Sequence, residues 1–192
     1  AQLRREPRVR TQTATSACGI CGSESVEEVL GRRTYAVGDA DLRLDPRVVP
    51  GLLRALRSAQ AVWSRTGGLH AAALFDAASL GEPYERDDPA PLVVREDVGR
   101  HNAVDKVVGW ATRNHRLPLT GTVLVVSARA GFEILAKAAA AGIPLVVAVS
   151  APSSLAVELA QSAGVTLVAF ASEESFSVYA GSDRLALPST VG

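Results

Sequence analysis

Methionine is absent from the 192 residues and the chain starts at Ala1, so we expect a fragment whose natural N-terminus lies upstream. Lysine plus arginine and aspartate plus glutamate number 20 each, and the zero net charge gives no overall attraction to nucleic acid or to a membrane surface. The longest apolar run, residues 143–149, contains Pro144 and is too short to cross a bilayer. The first residues do not form a signal-peptide pattern. We therefore expect neither a nucleic-acid nor a membrane partner.

Cysteine is also scarce, with only Cys18 and Cys21, which two residues separate. Two cysteines do not make a disulfide scaffold, and a four-ligand structural zinc site would need further partners. The pair therefore predicts working thiols in a reducing cytoplasm, where one thiolate reacts and the second resolves a disulfide or receives a transferred sulfur. Two idle cysteines are the plainer alternative, and the close spacing argues against it.

The pattern of apolar residues predicts an α/β fold. A helix is expected from near Pro50 to the glycines at 67 and 68, followed by a hairpin of residues 70–75 and 91–95. Continuous apolar strands then alternate with helices, which predicts a three-layer α/β/α architecture with a mixed, mostly parallel sheet. We expect two parts: an extended N-terminal segment with the cysteine loop over residues 1–44, and the α/β domain over residues 45–192.

The most concentrated polar chemistry lies where one predicted strand meets a helix, at residues 95–106. Arg95 ends the strand, and Arg100, His101 and Asn102 begin the helix after Gly99. Backbone N–H groups and the helix dipole attract anions at such a position. A charged loop with a helix cap is the plainer interpretation, but capping needs only one or two such residues.

Polar residues also follow the next two strands, at Ser127, Arg129, Ser150 and Ser153. Because these strands should point the same way as residues 92–95, their carboxyl ends should line one crevice. Arginines, hydroxyl groups and helix N-termini together suit a polyanionic ligand that bears a ring. For any single serine, however, a helix cap is the simpler role.

Several motifs resemble those of the formate dehydrogenase accessory sulfurtransferase (FdhD) family, in order along nearly the whole chain. They are Cys-Gly-Ile-Cys-Gly at 18–22, Thr-Gly-Gly-Leu-His-Ala-Ala at 66–72, the segment 95–106, Ser-Ala-Arg at 127–129 and the segment 150–158. Family members usually carry a further N-terminal β-rich segment that this chain lacks. The resemblance therefore also favours a fragment.

The resemblance implies a cytoplasmic, homodimeric sulfurtransferase that takes persulfide sulfur from a cysteine desulfurase. It passes that sulfur to the molybdenum bis-guanine-dinucleotide cofactor of formate dehydrogenase. Carried onto this chain, Cys18 bears the persulfide, Cys21 assists, and the crevice holds the guanine-dinucleotide phosphates. The family loop after the last long strand also touches the cofactor, and here it comprises Phe170, Ala171, Ser172, Glu173, Glu174 and Ser175. Relatives tend to be basic in this loop, so the two glutamates depart from the pattern.

The family core is similar to the cytidine deaminase fold. In deaminases a His-x-Glu motif opens one helix and two cysteines open the next; the histidine and the cysteines bind zinc, and the glutamate is the general acid/base. Here His101-Asn102-Ala103 lacks the glutamate and residues 127–132 supply no cysteine, so we expect no zinc. Two alternatives are a cofactor-binding chaperone whose cysteines transfer nothing, and a metal-dependent nucleoside deaminase, against which the missing ligands argue.

Overall fold

The computed structural model describes residues 25–31, 34–80 and 88–186. Over these ranges the helices are α1 (Val26–Gly31), α2 (Val49–Ser58), α3 (Trp63–Thr66), α4 (Arg100–Arg113), α5 (Phe132–Ala141) and α6 (Ser154–Ala163). The strands are β1 (His70–Asp76), β2 (Val93–Asp97), β3 (Thr122–Val126), β4 (Leu145–Ala148), β5 (Thr166–Ala169) and β6 (Ser177–Ala180). Cys18 and Cys21 lie outside the described residues.

The six described strands form one sheet in the order β2-β1-β3-β4-β5-β6. The prediction of a mixed sheet is confirmed, but "mostly parallel" is wrong, since only β3–β4 and β4–β5 are parallel pairs. The reason is that β1, the first strand of the predicted hairpin, lies between β2 and β3 and runs against both. The strands β2, β3, β4 and β5 still point the same way. We call the edge where they end, and where β1 begins, the carboxyl edge.

Helices cover both faces of the sheet because alternate strand residues point to opposite sides. On one face Ala72, Leu124 and Val146 pack against α1, α4, α5 and α6. On the other face Phe75 and Val125 pack against α2. The predicted three-layer arrangement is confirmed for the described residues.

The helix predicted to run from Pro50 to the glycines at 67 and 68 is two helices. The helix α2 ends at Ser58, and the chain turns before α3 begins at Trp63. Glu96 of β2 fixes this turn, because its two carboxylate oxygens accept the backbone N–H groups of Val62 and Trp63 at 2.8 and 2.7 Å. The turn brings the end of α2 to the carboxyl edge.

A buried arginine joins the N-terminal part of the described chain to the sheet. The Arg184 guanidinium donates hydrogen bonds to the carbonyl groups of Val37, Gly38 and Gly164, at 2.8 to 2.9 Å. Leu44 forms a backbone bridge with Leu185.

The predicted domain boundary after residue 44 stays a prediction. No described helix is both long and apolar enough to span a membrane.

Candidate functional site

The turn between β2 and α4 is held by contacts within the turn itself. Asp97 Oδ1 accepts hydrogen bonds from the Gly99 N–H at 2.9 Å and the Asn102 amide at 3.1 Å, and Asp97 Oδ2 lies 2.5 Å from Lys106 Nζ. The Lys106 hydrogen bond, followed by those of Gly99 and Asn102, lowers the pKa of Asp97 to about 2. Asn102 was predicted to bind a ligand, but its side-chain amide donates a hydrogen bond that stabilises the turn.

His101 and Glu133 join the starts of α4 and α5. His101 Nε2 lies 2.8 Å from Glu133 Oε2, and both side chains are half-buried. Burial lowers the pKa of His101, and the nearby charges of Arg100 and Lys137 act in the same direction. The imidazole is thus kept neutral at neutral pH, so it offers a ligand hydrogen bonding rather than charge.

Two helix starts at the carboxyl edge are open to an anion. The N-cap residues of α4 and α5 are Gly99 and Gly131, which have no side chain to cap the first N–H groups. Among the described residues, the buried Arg100 Nε has no hydrogen-bond partner, and exposed Arg129 has no ion pair. Helix N-termini with arginines beside them are a favourable site for phosphate groups. We call Arg95, Arg100, His101, Asn102 and Arg129 the cradle.

Of the three serines predicted as ligands after β3 and β4, two have structural roles. The Ser127 hydroxyl accepts the Ala71 N–H at 2.8 Å, which extends the sheet beyond β3. The Ser153 hydroxyl caps α6 by accepting the Ala156 N–H at 3.2 Å. Ser150 is half-buried, and within the described ranges its hydroxyl makes no hydrogen bond. Ser153 thus fits the helix-cap alternative, while its binding role stays a prediction.

The structure divides the predicted crevice in two. On the α2 face, a cleft of about 510 Å³ is lined by Ser127 and by residues 171–174, but not by the cradle arginines or His101. Its other wall is the polar side of α2 and the following turn, with Arg54, Arg57, Ser58 and Gln60. We call it the α2 cleft. None of these four residues was predicted as part of the site, although three of them form a polar group at the end of an otherwise apolar helix.

The loop 170–175 forms part of the α2 cleft. Phe170 has a left-handed backbone with φ of 50°, and its half-exposed ring lies 6.3 Å from that of Tyr179. The Ser172 hydroxyl accepts the N–H groups of Glu174 and Ser175 at 3.2 and 3.0 Å, which fixes a tight turn. Glu173 stands where members of the family tend to have a basic residue. Its carboxylate faces Arg54 across the cleft, with Oε2 3.5 Å from Arg54 Nη1.

Within residues 25–31, 34–80 and 88–186, no three His, Cys, Asp or Glu side chains cluster as a metal site requires. The cysteines are not among these residues. The expectation that the chain binds no zinc, and its likeness to cytidine deaminases, therefore stay predictions.

The chain is thus a mixed α/β protein, and its predicted polar site residues lie at one edge of the sheet. The model of the FdhD/NarQ family matches residues 1–186. The chain belongs to this family, which confirms the resemblance seen in the motifs.

Relatives with similar sequences carry the name sulfur carrier protein FdhD. The one from Mycolicibacterium paratuberculosis is 52% identical over 171 residues, which cover 89% of this chain and 59% of the relative. The one from Streptomyces coelicolor is 50% identical over 184 residues, with coverages of 95% and 62%. The chain therefore spans only about three fifths of the length of these curated relatives.

A solved structure shows the same fold. The crystal structure of a candidate formate dehydrogenase accessory protein from Desulfotalea psychrophila matches with a TM-score of 0.65 and 29% sequence identity. The match covers 76% of this chain and 60% of that one.

Proposed function

We propose that the protein is a sulfur carrier for formate dehydrogenase maturation, in the cytoplasm and as a homodimer. Cys18 accepts persulfide sulfur from a cysteine desulfurase, and the sulfur passes to the molybdenum bis-guanine-dinucleotide cofactor, which is the substrate. The observation that carries the proposal is the Cys-x-x-Cys pair at Cys18 and Cys21 inside the range matched by the FdhD/NarQ family model. The name of the similar relatives, sulfur carrier protein FdhD, supports the same role.

The two thiols of the pair supply what the transfer needs. The Cys18 thiolate attacks the outer sulfur of the donor persulfide, a new S–S bond forms on Cys18, and the donor cysteine leaves as a thiolate. The Cys21 thiolate then attacks Cys18 Sγ, the outer sulfur leaves as sulfide, and a Cys18–Cys21 disulfide remains. Two electrons pass from the thiols to the transferred sulfur, so a cellular thiol must reduce the disulfide before the next cycle.

The cradle suits the phosphate groups of the substrate. The uncapped starts of α4 and α5 present backbone N–H groups, and Arg100 and Arg129, which form no ion pair with any described residue, can make bidentate contacts with phosphate oxygens. Neutral His101 can hydrogen-bond a phosphate or a ring atom without adding charge. We propose that these residues hold one nucleotide arm while sulfur arrives from Cys18.

The length of chain between Cys18 and the described residues is compatible with this role. Cys18 lies seven residues before Ser25, a distance that extended chain spans up to about 24 Å. The helix α1, which begins after Ser25, packs against α6. Because α6 has 10 residues and is about 15 Å long, its start at the carboxyl edge lies within reach of such a tether.

A strain that lacks its own sulfur carrier provides the functional test. The chain should restore formate dehydrogenase activity, Cys18→Ala should abolish the restoration, and Cys21→Ala should weaken it. Arg113→Ala is the control, since Arg113 is exposed in the last turn of α4, away from the carboxyl edge. Full activity with the double variant Cys18→Ala, Cys21→Ala would instead establish the alternative, a cofactor-binding chaperone without transfer.

Calorimetry with GDP tests the cradle separately. Arg100→Ala and Arg129→Ala should each weaken binding about tenfold, because each removes a charge-assisted contact to phosphate. Unchanged affinity in both variants would refute the placement of the nucleotide in the cradle.

A further inference from the structure

His101 and Glu133 form a pair at the carboxyl edge with the arrangement of an acid–base dyad. His101 Nε2 lies 2.8 Å from Glu133 Oε2. A carboxylate oxygen so close to a ring nitrogen favours the tautomer that carries its proton on that nitrogen, and it stabilises the imidazolium form. The other ring nitrogen, Nδ1, then keeps its lone pair, and no described residue donates a hydrogen bond to it. Nδ1 can therefore accept a proton from a reacting group.

A second contact holds the two helices on which this pair lies. Lys137 Nζ lies 2.7 Å from Asp105 Oδ1, so α4 and α5 are bridged again one turn beyond the contact between His101 and Glu133. A group that transfers a proton needs a fixed position, because a small misplacement costs much of the rate. His101 has such a position, since it lies on a helix that is joined twice to its neighbour.

The surroundings of His101 keep its imidazole ready to act as a base. Burial lowers its pKa, and the positive charges of Arg100 and Lys137 act in the same direction, as does His70 at the start of β1. The negative charge of Asp105 acts the other way. The ring is therefore neutral at neutral pH, which is the form that accepts a proton.

Sulfur transfer between two thiols needs a base and then an acid. An ordinary cysteine thiol has a pKa of about 8.5, so only a few per cent of it is the reactive thiolate at pH 7. The outer sulfur of a persulfide also needs a proton when it leaves, because it would otherwise depart as the sulfide dianion. His101 belongs to the cradle, where we propose that the sulfur acceptor is held, so it lies where both proton movements are needed.

We propose that His101 carries the proton of the sulfur transfer and that Glu133 is its positioning residue. In this step, which rests on the proposed function, His101 Nδ1 takes the proton of the Cys21 thiol as Cys21 Sγ bonds to Cys18 Sγ. The bond between Cys18 Sγ and the outer sulfur breaks, its electron pair goes to the outer sulfur, and the imidazolium returns the proton to that atom. Hydrosulfide, a Cys18–Cys21 disulfide and a neutral imidazole remain, so atoms, charge and electrons balance.

Release of hydrosulfide from the 192-residue chain in a single turnover tests the proposed role of His101. The chain is loaded at Cys18 with a cysteine desulfurase and cysteine, separated from both, and followed with a sulfide electrode between pH 5 and 9. We expect His101→Asn to load normally by intact-protein mass but to release hydrosulfide about a hundredfold more slowly at pH 7. Its rate should rise towards pH 9, because the Cys21 thiol then ionises without a base.

His115→Asn is the matched control, because His115 is exposed just beyond α4 and asparagine tolerates its left-handed backbone, with φ of 54°. This variant should load and release hydrosulfide as the unsubstituted chain does at every pH.

Glu133→Gln keeps the shape of the side chain and distinguishes proton transfer from a structural bridge. We expect release about tenfold slower at pH 7, because an amide orients the imidazole less strongly than a carboxylate does. The amide also stabilises the imidazolium less, so the pKa of His101 should fall further. The loss of rate on the acid side should therefore move to lower pH in this variant. A purely structural bridge would change the rate without moving the acid side of the profile.

The outcomes separate the role of His101 from the proposed function. No loading of the unsubstituted chain would overturn both. Normal loading without any release, or release from His101→Asn as fast as from His115→Asn, would overturn only the role of His101. Slow release from His101→Asn that recovers at high pH, together with the shifted profile of Glu133→Gln, would support it. If His101→Asn fails to fold, the profile of Glu133→Gln decides.

Discussion

His101 at the start of α4 and Glu133 at the start of α5 meet across the carboxyl edge, with Nε2 and Oε2 2.8 Å apart. The contact joins the two uncapped helix starts. Burial lowers the pKa of His101, which is one of the cradle residues. The protonation state of His101 should therefore affect how the starts of α4 and α5 are positioned at the anion site.

The His101 pKa gives the folding stability a pH dependence. The unfolded chain takes up a proton near the ordinary histidine pKa of 6.5, while the folded protein takes it up only at lower pH. Stability should therefore fall as the pH drops below about 6.5. Urea unfolding at several pH values should show a shallower fall for His101→Asn. An equally steep fall in the variant would show that His101 does not cause it.

Arg184 should contribute strongly to stability. It is 5% exposed and its guanidinium donates to four backbone carbonyl groups, those of Val37, Gly38, Ala40 and Gly164, so Arg184→Met leaves them without their donor. We expect the free energy of unfolding to fall by about 3 kcal/mol, since hydrogen bonds from a charged donor are lost inside the protein.

Arg113→Met is the matched control for Arg184→Met, because it removes the same charge from an exposed position. Urea unfolding of both variants should show a change below about 0.5 kcal/mol for the control. Equal losses in the two variants would mean that Arg184 does not anchor residues 37–40.

Ser153 should behave mainly as a helix cap. Ser153→Ala should lower the free energy of unfolding by about 1 kcal/mol, because the Ala156 N–H loses its acceptor. The neighbouring Ser154→Ala, inside the first turn of α6, should change it much less. If Ser153→Ala instead leaves thermal unfolding unchanged and weakens GDP binding, the hydroxyl is a ligand and not a cap.

The strands and their direction could be predicted from the sequence because each buried strand is a short continuous apolar run. The apolar runs predicted at residues 91–95, 123–126, 145–149 and 166–170 all overlap strands that point to the carboxyl edge. The position of β1 in the sheet could not be predicted. As a hairpin partner, β1 can pair with either edge of β2, and the apolar pattern is the same in both cases. The observed order places β1 against β3, which adds one antiparallel pair to that of the predicted hairpin.

The division of the site into a cradle and an α2 cleft also could not be predicted from the sequence. Motif order placed Arg100, Arg129 and Ser127 at one edge correctly, but it carries no information on which face of the sheet each side chain lies. The chain turn after Ser58 brings Gln60 and Arg57 to that edge, and Glu96 stabilises the turn from a distant strand. Such long-range contacts have no local signature.

Whether Cys18 carries the sulfur can be measured by intact-protein mass spectrometry after incubation with a cysteine desulfurase and cysteine. We expect a mass gain of one sulfur atom that a reducing agent removes. The gain should persist in Cys21→Ala and disappear in Cys18→Ala. No gain in the unsubstituted chain, or the same gain in Cys18→Ala, would mean that Cys18 is not the sulfur carrier.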